Sequence, residues 1–166
     1  MAESQTQEFA ADLFDVSDLD DEIRVDALCR RLLRLFYEDL THNQGLDAEQ
    51  AAALTYGADY FLRDFVISER LENILRIPAH RVRQFGGNWY IIKNLEPNME
   101  ELATQLQGVA AFYRFCARQG HLAADLAEQI AAECDDLPFY RERIESFWAI
   151  TGDGYQRWDQ ACSYKD

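Results

Sequence analysis

The chain contains no run of about 18 apolar residues, the length a helix needs to cross a bilayer, so no membrane span is expected. Its N-terminus lacks the basic-then-apolar order of a signal peptide, and a cytoplasmic location is the expectation that follows. No C-x-x-C pattern joins Cys29, Cys116, Cys134 and Cys162. Without paired ligand spacing, neither zinc nor another cofactor is expected. In a reducing compartment such thiols are better read as free and buried than as bridged. The patterns G-x-x-x-x-G-K-[ST], G-x-S-x-G and H-E-x-x-H are all missing. Phosphate-loop, nucleophile-elbow and zinc-peptidase chemistry therefore have no support, and an enzyme is not expected. There are no strand pairs, no low-complexity runs and no repeat unit.

Basic residues are absent from positions 1–22, which carry Glu3, Glu8, Asp12, Asp15, Asp18, Asp20, Asp21 and Glu22. They contribute to a net charge of −14 over 166 residues. An acidic protein stays soluble and repels nucleic acid at long range. We read 1–22 as a mobile acidic lead-in, although Phe9, Leu13, Phe14, Val16 and Leu19 give it apolar contacts to offer. Residues 23–150 form the helical domain. Residues 151–166 form an aromatic tail able to pack back as a short helix.

What the chain does have is helical period, and the expected fold is all-α, a compact bundle of five to seven helices. The clearest signal follows Pro97. Asn98 can cap a helix, with Glu101 placed to complete a capping box. Met99, Leu102, Leu106, Val109, Tyr113 and Cys116 then recur at helical spacing. Gly120 suits the left-handed position after the helix end. Upstream, a helix is expected over 21–39 and another from Asp47, with Gln50 at the capping-box position. The latter runs to about Val66, where Gly57 suits a close crossing, and further helical turns are expected over 68–75. A helix over 79–93 contains Gly86-Gly87, which asks for close packing, a break or a ligand. Two more helices follow, one from near His121 to Cys134 and one capped by Asp136 with Pro138 in its first turn.

The candidate contact residues lie in the only basic run. Arg76, His80, Arg81, Arg83 and Lys93 fall between Glu72 and Glu96, with Trp89 among them. Arg114 and Arg118 stand on the central helix. Such residues can hold phosphates and stack on bases, or anchor a protein partner. They can equally pair with the surplus acids. The i,i+4 pairs Glu38/His42 and His121/Asp125 are read as surface pairs rather than metal edges.

The ending Ala111-Phe112-Tyr113-Arg114-Phe115-Cys116-Ala117-Arg118-Gln119-Gly120-His121-Leu122 is similar to the last helix of a known unit. That unit is the SAM-like, core-binding N-terminal domain of tyrosine recombinases (phage integrases). Tyr60-Phe61-Leu62-Arg63-Asp64-Phe65 is similar to its opening helix, and residues 47–134 resemble small prokaryotic proteins carrying this helical unit alone. The resemblance covers about half the chain and implies DNA binding by the domain, with chemistry in a second domain that has no room here. His80-Arg81-Val82-Arg83 spells H-x-x-R, but Tyr113 lies on the apolar stripe, and a recombinase nucleophile is not expected there. The function expected is therefore a non-catalytic module that binds a protein partner or a second copy of itself. The alternative is a stand-alone DNA-binding module.

Overall fold

Polar caps set several of the helix starts. In the computed structural model, which describes residues 7–162, α1 (Leu19–His42) opens where the Asp18 carboxylate accepts the Asp21 N–H at 2.8 Å. It therefore begins ahead of the expected residue 21. The second helix, α2 (48–69), opens on a complete capping box between Asp47 and Gln50. It is α-helical over Ala48–Asp59 and continues as a π-helix over Tyr60–Glu69. Leu71 then takes a left-handed φ of 53°, and the Glu72 N–H closes on the Val66 carbonyl at 3.0 Å. That reversal ends the helix after Glu69, so the helical turns expected over 68–75 form only at their start.

The third helix, α3 (81–93), passes through a π segment at Phe85–Trp89 without breaking at its glycines. Next comes α4 (Met99–Arg118), capped by the Asn98 side chain on the Glu101 N–H at 2.8 Å. The Glu101 carboxylate accepts instead from the Tyr90 hydroxyl, at 2.8 Å. Gly120 adopts the expected left-handed conformation, φ 80°, and the His121 N–H returns to the Cys116 carbonyl. Then follow α5 (Ala124–Asp135), α6 (Leu137–Trp148) and the short α7 (Tyr155–Gln160). Asp136 does not cap α6, because its carboxylate is taken by Arg83 at 2.8 Å. Among the described residues these seven helices include no strand.

Packing centres on α4, which lies between α2 and α5. Two glycines let α2 and α4 touch backbone to backbone. A methyl group on Gly57 would stand 2.5 Å from the Gln105 Cα, and one on Gly108 would stand 2.1 Å from the Leu54 carbonyl oxygen. The pair Gly86-Gly87 serves the same end on α3, where added methyls would strike the Tyr140 and Phe139 rings of α6 at 2.8 Å. Of the stripe on α4, Leu102, Leu106, Val109, Phe112, Tyr113 and Cys116 are all buried.

The first and last described segments join this core. Residues 1–6 lie outside the described residues, and from residue 7 onward two aromatic side chains of the lead-in reach the core. Phe9 and Phe14 are buried, and the Asn73 amide holds the Ala11 carbonyl at 2.7 Å and the Asp15 carboxylate at 2.8 Å. Apolar burial outweighs the local acid excess there. At the other end Trp158 is buried, and its indole N–H donates to the Arg143 carbonyl at 3.1 Å. Arg143 itself is buried, donating to the carbonyls of Gly87 and Trp158 and lying 4.0 Å from the Trp158 ring centre. One side chain thus ties α3, α6 and α7 together.

Candidate interaction surface

An arginine contacts a phosphate only if its guanidinium is available. Each of the candidate arginines instead faces an acid of this chain. Arg81 is 8% exposed and donates to the Glu72 carboxylate at 2.7 Å and to the Gln84 amide oxygen at 2.8 Å. Burial raises the Glu72 carboxyl, but hydrogen bonds from Arg81 and Arg70 outweigh it and hold the group below its ordinary range. Arg83 bridges Glu133 on α5 to Asp136 at the start of α6, with its guanidinium 4.5 Å from the Phe139 ring centre. Arg114 pairs with Glu128 at 3.2 Å, Arg118 with Asp39 at 2.8 Å, and Arg76 with Asp15 at 3.6 Å.

These partners lie on different elements, while Arg114 and Arg118 line one shared groove beside α5. Arg76 turns to the N-terminal segment, Arg81 to the 70–80 loop, Arg83 to α5 and α6, and Arg118 to α1. His80 is half-buried just ahead of α3, and its carbonyl accepts the Arg83 and Gln84 N–H groups. Lys93 is exposed at the end of α3. Trp89 is half-buried in an aromatic cluster, its ring centre 5.2 Å from Tyr60, 5.4 Å from Phe65 and 5.9 Å from Phe85. A tryptophan so held packs the joint between the two π segments.

The tyrosine and thiol groups of the core are buried. The Tyr113 hydroxyl donates to the Ile74 carbonyl at 2.7 Å, and burial pushes its pKa up. All four cysteines are buried free thiols, and burial raises those of Cys29, Cys116 and Cys134. Among the described residues no three His, Cys, Asp or Glu side chains gather as a metal site, and no helix is long and apolar enough to cross a membrane.

The exposed surface carries apolar groups beside acids. Leu19 and Ile23, one turn apart on α1, are exposed next to Asp20 and Glu22. Leu95 is 97% exposed in the turn between α3 and α4, and Trp148 is exposed at the end of α6. Tyr56, 65% exposed, stands on the outer ridge of α2 between two grooves. Of these positions the sequence singled out only Leu19, because an exposed apolar residue within a helical pattern reads as core. No family model, curated protein or solved structure matches the chain.

Proposed function

We propose that this protein is a non-catalytic helical interaction module that binds a basic protein partner. The observation that carries this reading is the ion pairing of Arg76, Arg81, Arg83, Arg114 and Arg118 with acids of the same fold. Arg81 and Arg83 are largely buried in these pairs, Arg76, Arg114 and Arg118 are about half exposed in theirs, and the sequence as a whole keeps a net charge of −14. Such a net charge attracts cationic partners and repels a phosphate backbone. The DNA-binding alternative, which the recombinase resemblance implies, would need several of these pairs to open and their acids to leave.

Fluorescence anisotropy with three labelled probes tests the reading: a duplex DNA, a Lys/Leu amphipathic peptide and its Glu/Leu counterpart. The expected result is binding of the basic peptide alone, weakening as salt is added. Salt-sensitive binding of the duplex at micromolar protein would overturn it and favour the DNA-binding module.

A further inference from the structure

An open groove of about 600 Å³ runs between α2 and the first two turns of α4. At its base lies Gln105, only 4% exposed, whose amide oxygen is buried without a hydrogen-bond partner. A buried acceptor left unpaired is costly, and a donor brought to it gains a hydrogen bond.

Most of the other polar groups around it are acceptors; the Asn98 amide also lines the groove, its Nδ2 donating to the Glu96 carbonyl at 3.2 Å and its Oδ1 accepting the Glu101 N–H at 2.8 Å. Glu100 and Glu101 line the groove, and the Tyr90 hydroxyl holds the Glu101 carboxylate at 2.8 Å. The Thr104 hydroxyl donates to the Glu100 carbonyl at 3.2 Å, which leaves its lone pairs to accept. Tyr56 supplies an exposed aromatic wall. No lysine, arginine or histidine is among the described residues lining the groove.

A cation with several N–H donors fits this set. The start of α4 opposes it with about half a positive charge, but two carboxylates outweigh that. The Tyr56 ring adds cation–π attraction. We propose that the groove receives a lysine or arginine side chain of a protein partner. Its stem lies along Ala52 and Tyr56, and its donors reach Glu100, Glu101 and the Gln105 oxygen. The proposal rests on the interaction-module reading and gives it a specific seat.

Amide NMR of the labelled protein, titrated with acetyl-Gly-Arg-Gly-amide and with the same peptide carrying neutral citrulline, tests it. The arginine peptide is expected to give saturable shifts confined to residues 52–56 and 98–105, and the citrulline peptide to give none. Glu100→Gln and Tyr56→Ala, both at exposed positions, should each weaken binding. Gln105→Met should weaken it at least about fivefold while leaving the unfolding midpoint unchanged or raised, because the unpaired acceptor is gone. Equal shifts from citrulline, or unchanged binding by Gln105→Met, would overturn the site. A lowered midpoint for Gln105→Met would do so too, since it would give the amide an internal role. Shifts only elsewhere on the surface would remove the groove but leave the interaction module standing. Binding of duplex DNA in the anisotropy assay would remove the module itself.

Discussion

His121 shows how one buried side chain sets a response to pH. It is 8% exposed against the Phe9 ring, its Nδ1 has no hydrogen-bond partner, and burial holds its pKa below the ordinary 6.5. Above that value the ring is neutral in both states and contributes nothing to the pH dependence. Below it the unfolded chain takes up a proton before the folded one does, so stability falls as the solution is acidified. Urea unfolding between about pH 7 and pH 5.5 should show this loss, and His121→Phe should flatten it. An identical slope in the variant would mean that the titration lies elsewhere. Glu72 acts in the same direction further down the scale. Its depressed carboxyl pKa supplies stability above the ordinary 4.5 that is lost as pH falls below it.

At the scale of elements, the contact between α2 and α4 depends on Gly57 and Gly108. A methyl at Gly108 meets a backbone oxygen at 2.1 Å, which no side-chain rotation can relieve. Alanine gains the helix up to about 1 kcal/mol, and overpacking costs about 1–3 kcal/mol or more. Gly108→Ala should therefore lower the urea midpoint with an unchanged slope, by a net loss of about 2 kcal/mol. A midpoint that rises would show that the helices separate without cost. The helix spans, the Asp47–Gln50 capping box and the Gly120 reversal were legible because each depends on neighbours in sequence. Close packing was one of three uses the sequence left open for the glycine pair. The two π segments were not legible, since Tyr60–Glu69 and Phe85–Trp89 read as ordinary helix, and the ring contacts between them join residues far apart in sequence. Asp136 shows the same limit. Its spacing suits a cap, but Arg83, 53 residues away in sequence, takes its carboxylate.

Across the whole molecule, charge divides into an internal and an external part. The basic run was visible in the sequence, and so was the possibility that acids would neutralise it. Which acids do so was hidden, because Asp15, Glu72, Glu133 and Asp136 come from separate elements. The seat around Gln105 was hidden as well. A glutamine on the helix is unremarkable until the packing of α2 over α4 buries it. Arg81 and Arg83 hold separate elements of the fold together through their ion pairs. Thermal unfolding of Arg81→Gln/Arg83→Gln, with duplex DNA anisotropy on the same samples, tests that role most directly. Each charged hydrogen-bonded pair contributes about 1.5–3 kcal/mol, so the variant should melt well below the parent while DNA binding stays absent in both. An unchanged melting temperature, together with a salt-sensitive DNA affinity that the substitutions abolish, would contradict it.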